Sequence, residues 1–227
     1  MRKAGHTKKD KQTTTNEQSK NTNVTSDILK KRILSGLPFE PSPEQEKAAG
    51  ILSRFVCGET ASGIFILKGY AGTGKTSMIA SVVNALPPLG RRAVLAAPTG
   101  RAAKVMGRYS GQKAFTVHKM IYSLKKSEGG VFFFALKPNR YRDALFIVDE
   151  ASMITDRPGE SLSGNGASLM DDLLQYVFSG KGCRLLLVGD TAQLPPVGYS
   201  DSPALEPSTF ETGYGMDCSS YMLTQVY

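Results

Sequence analysis

Eight residues, Gly69-Tyr-Ala-Gly-Thr-Gly-Lys-Thr76, constrain this chain more than any other feature. They fit G-x-x-x-x-G-K-[ST] and lie between a short apolar run, Gly63-Ile-Phe-Ile-Leu-Lys68, and a helical segment from Thr73 to Leu86. In that segment Met78, Ile79, Val82, Val83 and Leu86 recur at helical spacing until Pro87-Pro88 stops it. Glycines at these places let the backbone wrap around phosphate oxygens without a clashing Cβ, and the loop N–H groups then point inward. The helix that starts at the end of the turn adds the positive end of its dipole. Lys75 is positioned to reach the terminal phosphates and the Thr76 hydroxyl to ligate Mg²⁺. Gly69, Ala71, Gly72, Thr73, Gly74, Lys75, Thr76 and Ser77 form the candidate phosphate-binding set. The glycine order differs from the dinucleotide fingerprint G-x-G-x-x-G.

The rest of the chain alternates strand and helix. Ala93-Val-Leu-Ala-Ala97, Leu145-Phe-Ile-Val148 and Arg184-Leu-Leu-Leu-Val188 read as buried strands, Arg101–Met106 and Leu169–Phe178 as helices, and Met222–Val226 as a last strand. This pattern predicts an α/β fold, an open, mostly parallel sheet with helices on both faces. Two pieces look added. Tyr122–Arg142 holds Glu128-Gly-Gly130 followed by Val131-Phe-Phe-Phe134 and reads as a small β-hairpin insertion, and Asp156–Ala167 reads as a loop. The hairpin aromatics suit either packing against the sheet or stacking on a base. Leu145-Phe-Ile-Val-Asp-Glu150 ends a strand in adjacent carboxylates, at the sheet edge where open α/β folds bind ligands. Asp149 is the candidate magnesium holder and Glu150 the candidate base for an attacking water, although a strand-end charge pair has the same appearance.

Charge is distributed unevenly. Residues 1–36 carry 9 basic and 3 acidic side chains with few large apolar ones, and read as a disordered basic tail. Between Arg91 and Arg142 there are 12 basic residues and one acid, Glu128, while residues 143–227 hold 3 basic and 12 acidic. A folded segment at +11 suits a polyanion, and a solvated surface balanced by the acidic third accounts for the same numbers. No apolar run approaches the roughly 18 residues that span a bilayer, which excludes a membrane-spanning helix. Three widely spaced cysteines, Cys57, Cys183 and Cys218, lack Cys-x-x-Cys, so a reducing cytoplasm is the expected compartment.

Longer segments carry a resemblance. Val148-Asp-Glu-Ala-Ser-Met153 and Gly189-Asp-Thr-Ala-Gln-Leu-Pro-Pro196, with the phosphate loop, resemble the RecD-like branch of superfamily 1 DNA helicases. Pro43-Glu-Gln45, Ala97-Pro-Thr-Gly-Arg-Ala-Ala-Lys104 and Ala114-Phe-Thr-Val-His-Lys119 agree with further elements of that family, so the likeness runs from about Pro38 to Tyr227. It implies a RecA-like P-loop NTPase over residues 37–227 that uses ATP and Mg²⁺, with the hairpin at about 122–142 as its insertion. The residue roles it implies are Gln45 at the adenine edge, Gln193 at the γ-phosphate, and Pro98, Thr99, Arg101, Thr116 and His118 along single-stranded DNA. Plainer roles exist for these residues: a surface glutamine, a structural histidine, and the solvated side of a helix for Arg101 and Lys104. The resemblance also implies a monomeric 5′-to-3′ helicase whose second RecA-like domain, part of the same full-length chain, supplies arginines to the site. Leu223-Thr-Gln-Val-Tyr227 resembles the run-up to an Arg-Gln motif, and no second motor domain is present, so weak hydrolysis is expected from this piece alone. The competing expectation is a stand-alone P-loop switch or kinase-like enzyme that does not act on DNA.

Overall fold

The computed structural model describes residues 25–193 and 195–226. Along the chain come α1 (residues 25–35), α2 (Pro43–Cys57), β1 (Ile64–Gly69), α3 (Lys75–Ala85), β2 (Arg92–Ala97) and α4 (Gly100–Ser110). β3 (Ala114–Thr116), α5 (Val117–Ile121), β4 (Tyr122–Lys126), β5 (Phe132–Leu136) and β6 (Ala144–Val148) follow. The last elements are α6 (Leu169–Phe178), β7 (Arg184–Gly189) and β8 (Cys218–Leu223). Six strands form one sheet in the order β3-β2-β6-β7-β1-β8, and every pairing in it is parallel. This is the open parallel sheet expected from the alternating pattern, in the RecA-like P-loop form that the resemblance implies.

The four inner strands β2, β6, β7 and β1 are apolar over most of their length because both faces of the sheet are covered there. On one face Ile64, Ile66, Val94, Phe146, Leu185 and Leu187 are buried beneath α5 and α6. On the other, Phe65, Leu67, Leu95, Ile147, Leu186 and Val188 are buried beneath α1, α2 and α3. Parallel register brings the carboxyl ends of β1, β6 and β7 together, with Lys68 opposite Gly189 and Val148 opposite Leu187. The phosphate loop, the Asp149-Glu150 pair and the residues after Gly189 therefore share one edge.

The expected tail needs correction. Residues 1–24 lie outside the described part, but 25–35 form α1, with Leu29 and Ile33 fully buried against the second core. An apolar i, i+4 pair is enough to dock one face of this helix, and Lys30, Lys31 and Arg32 fall between the pair. Averaging charge over the whole terminal stretch hid that stripe.

The hairpin pairs β4 with β5, Tyr122 opposite Leu136 and Lys126 opposite Phe132, as a separate two-stranded sheet. Phe132, Phe133 and Phe134 are 63%, 46% and 41% exposed, so these three rings stand outside the core, which the hairpin joins only at its base through Tyr122 and Leu136. Lys126 Nζ lies 5.6 Å over the Phe132 ring, and Phe134 meets Tyr122 edge-on at 6.5 Å.

Leu29→Ala is expected to destabilise the protein by about 2–5 kcal/mol, the cost of a cavity in a packed core. Urea unfolding measures it, and an unchanged midpoint would return residues 25–35 to the tail.

Candidate nucleotide-binding site

A cleft of about 410 Å³ opens where β1 turns into α3. Its walls are Ala71 to Ser77 of the loop, Asp149 and Glu150 after β6, Gly189, Asp190 and Gln193 after β7, and Phe39. Gly72 and Gly74 have φ of 81° and 84°, and a Cβ at Gly74 would lie 2.5 Å from Gln45 Nε2. Glycine is thus required at Gly74 by both conformation and space.

Lys75 Nζ donates to the Gly69 carbonyl at 2.6 Å and the Tyr70 carbonyl at 2.7 Å, and lies 4.0 Å from Asp190 Oδ2. Burial lowers its affinity for a proton, and the nearby carboxylates of Asp190, Asp149 and Glu150 oppose that shift. Asp149 receives the N–H of Glu150 on Oδ1 at 3.0 Å, while its own N–H donates to Ala96. Burial pushes its carboxyl up to about 6. Glu150 stands in the left-handed region at φ 54°, strain of the kind that collects where a side chain must be aimed. Gln193 is exposed, and its Oε1 accepts the Ser152 hydroxyl at 3.1 Å.

Gln45, the residue expected at an adenine edge, is turned inward. It is 1% exposed; its Oε1 accepts the Ser42 N–H at 3.1 Å, and its Nε2 donates to the Thr73 carbonyl at 3.1 Å. It braces the phosphate loop against the start of α2. The neighbouring Glu44 carboxylate accepts the Thr224 N–H, the Thr224 hydroxyl and the Gln225 N–H at 2.8, 2.6 and 3.0 Å.

A second cleft, about 350 Å³, adjoins the first and is lined by Thr99, Arg101, Ala102, Val105 and Met153. Asp149, Glu150 and Gln193 line both clefts. Pro98 and Thr99 follow β2, and the Thr99 hydroxyl caps α4 by accepting the Ala102 N–H. Thr116 ends β3 opposite Ala97 and caps α5 through the Lys119 N–H. Arg101 is exposed. His118 is half-buried against Tyr122, 5.9 Å between ring centres, and burial lowers its pKa. All five residues thus lie at the carboxyl ends of two neighbouring strands.

Asp190, Ser152 and Phe39 also line or support the cleft, and residue spacing alone does not mark them as a set. Asp190 carried the same mark as Asp149, an acid directly after an apolar strand. For Phe39 and Ser152 there was no comparable mark.

The loop, its lysine and the acids at the ends of β6 and β7 define a P-loop nucleotide-binding domain. A family model for the AAA domain (AAA_30) matches residues 43–203, and the chain belongs to that family. The ATP-dependent RecD2 DNA helicase of Deinococcus radiodurans is 40% identical over 134 residues, 59% of this chain and 16% of the relative. The ATP-dependent DNA helicase Pif1 of Bdellovibrio bacteriovorus is 32% identical over 174 residues, 71% of this chain and 34% of the relative. Among solved structures, the Pif1 helicase from Candida albicans superposes with a TM-score of 0.52 at 22% identity, over 83% of this chain and 40% of that one. The chain therefore spans 16% and 34% of the length of these two curated relatives.

Asp149 yields a stability prediction. Its folded pKa, about 6, exceeds the ordinary carboxylate value, so the fold disfavours the charged form. The stability this provides is present below about pH 4 and is lost as pH rises through 6. Asp149→Asn, measured without metal or nucleotide, is expected to raise the melting temperature by about 2–6 °C at pH 8. The gain should vanish near pH 4, and an equal gain at both values would rule out the burial argument.

Proposed function

We propose that this chain is the ATP-hydrolysing motor portion of a DNA helicase that moves along single-stranded DNA. The observation that carries the reading is the shared wall of the two clefts. Asp149, Glu150 and Gln193 face the phosphate loop on one side and Thr99 and Arg101 on the other. A change at a terminal phosphate thereby reaches the second cleft through three side chains, the coupling a motor needs. The names of the relatives support the same reading.

The cleft fits a magnesium–nucleotide substrate. Gly72 and Gly74 leave the loop open for close approach of phosphate oxygens, and the Lys75 ammonium already rests on two carbonyl oxygens in the place an anion would take. Thr76 and Asp149 would hold Mg²⁺, which supplies charge neutralisation on the phosphates when bound. Glu150, its backbone fixed in a strained turn, accepts the proton of the attacking water. Gln193, held by the Ser152 hydroxyl, senses the γ-phosphate. Pro98, Thr99, Arg101, Thr116 and His118 would carry the single strand, with His118 in its neutral form because burial disfavours the cation. A second RecA-like domain of the same full-length protein would close the cleft and contribute arginine. A stand-alone switch or kinase-like enzyme gives the second cleft no role.

Hydrolysis of ATP by the purified chain is expected to rise on adding oligothymidylate. Lys75→Ala should lose nucleotide binding, and Glu150→Gln should keep binding while hydrolysis falls by about 10²-fold or more. Normal turnover by Glu150→Gln would remove it as the base, and a rate and affinity indifferent to the oligonucleotide would overturn the DNA motor.

A further inference from the structure

The +11 segment does not lie on one surface. Arg101 and Lys104 follow the carboxyl end of β2, whereas Arg91, Arg92, Lys113, Arg140 and Arg142 lie at or shortly before the amino ends of β2, β3 and β6, at the opposite edge of the sheet. Backbone contacts hold them there. Arg91 N–H donates to the Leu86 carbonyl at the end of the α3 segment, and Asp143 N–H donates to the Lys181 carbonyl ahead of β7. Asn139 Nδ2 donates to Tyr176 and Val177 in the last turn of α6. Lys181 extends the same row to a fourth strand.

These six basic side chains make no hydrogen bond and no ion pair among the described residues, whose ion pairs are Lys68–Glu206, Lys75–Asp190 and Arg157–Glu160. Arg92, Lys113, Arg140, Arg142 and Lys181 are exposed, and Lys113 rests 5.2 Å over the Phe115 ring. Asp217 lies farther along this edge, before β8, and two acids come near the row: Asp143, directed at Gly182, and Glu59, whose Oε1 is buried without a hydrogen-bond partner. Neither pairs with the row. The carboxyl ends of α3 and α6 point here and favour cations, yet none of the six caps them with its side chain. A cleft of about 470 Å³, lined by Pro87, Gly90, Arg91, Arg92, Ala93 and Gln112, opens in the middle of the row.

We propose that this amino-terminal edge is a second nucleic-acid surface, one that takes the sugar–phosphate backbone of duplex DNA. The proposal rests on the DNA reading above and adds a separate place and a separate form of DNA. Its chemistry separates the candidate partners. A protein interface needs an apolar centre, and a single strand needs aromatic faces for its bases. This edge has neither. The exposed large apolar residues lie elsewhere, among them the hairpin group and Phe39, Val105 and Met153 around the two clefts. Tyr109, the exposed aromatic nearest in sequence, lines a gap with Thr76 and Asp149 on the nucleotide side. What the edge does offer is positive charge spread across four neighbouring strands, about 15 Å at roughly 4.8 Å per strand. A duplex presents about nine charges over that length, at one per roughly 1.7 Å of axis. Duplex at one edge and single strand at the other would place the substrate of strand separation and one of its products on one rigid sheet.

The test compares the full 227-residue chain with its Arg92→Glu/Arg140→Glu/Arg142→Glu variant, binding a blunt 20-base-pair duplex and oligothymidylate by fluorescence anisotropy. The substituted residues are exposed and make no side-chain hydrogen bond or ion pair among the described residues, so circular dichroism and nucleotide binding should be unchanged. The expected result is a loss of about tenfold or more in duplex affinity at low salt, a salt slope shallower by about three, and oligothymidylate affinity unchanged. Duplex affinity unaffected by the variant overturns the proposal, as does an equal loss for both DNA forms, which would mean one diffuse field. Wild-type binding of poly-glutamate as tight as duplex binding overturns it in favour of an acidic protein. Wild-type chain that binds the single strand but not the duplex removes only this surface. Binding to neither form removes the DNA reading as well.

Discussion

A half-buried ammonium is unfavourable unless its donors are used, and the loop is arranged to use those of Lys75 without committing them permanently. Two carbonyls, Gly69 and Tyr70, take them at 2.6 and 2.7 Å, and the Asp190 carboxylate stands at 4.0 Å. The carbonyls come from the last residue of β1 and the one after it, and the carboxylate from the residue after β7, so the position of Lys75 is a consequence of parallel register between two largely buried strands. A neutral oxygen is a weaker partner for a cation than a phosphate. The ammonium is therefore solvated well enough to fold and poorly enough to transfer to a stronger acceptor. Removing the register would scatter all three partners, which is why the apolar strands matter to the site as much as the glycines.

Much of this was readable in the residues, for identifiable reasons. An apolar run followed by glycines and a lysine has few other physical uses, and an acid at the end of a buried strand marks the open edge of an α/β sheet. The hairpin was readable because Glu128-Gly-Gly130 separates two runs of strand-forming residues. Other features depended on proximity that spacing does not encode. Gln45 could have faced solvent, a ligand or the protein, and only the approach of α2 to the loop directs its amide to Thr73. α1 was lost because charge was summed over a terminus, while burial is decided by two residues, Leu29 and Ile33, one helical turn apart.

The basic segment shows why net charge along a chain is a poor guide to charge on a surface. Each strand carries the chain from the amino edge of the sheet to the carboxyl edge, so neighbours in sequence such as Arg92 and Arg101 end at opposite edges. Residues distant in sequence, Arg92 and Arg142, end together. The aromatic side chains divide too, with Phe132, Phe133 and Phe134 presented by the hairpin and none exposed among the arginines at the amino ends. Polyanion contact and base contact thereby become separable by position.

The first turn of α2 holds two structures at once. Gln45 grips the loop at Thr73, and Glu44, one residue earlier, grips the chain where it leaves β8. A Cβ at Gly72 would come within 3.0 Å of Val226, so the outgoing segment also runs close over the loop itself. Adjacent side chains on a single helical turn cannot move independently, and this turn acts as a yoke. A shift of the loop by a few tenths of an ångström on accepting a phosphate would be delivered to Thr224 and Gln225 with no flexible joint in between. The strand exit thereby becomes an indicator of whether the cleft is filled.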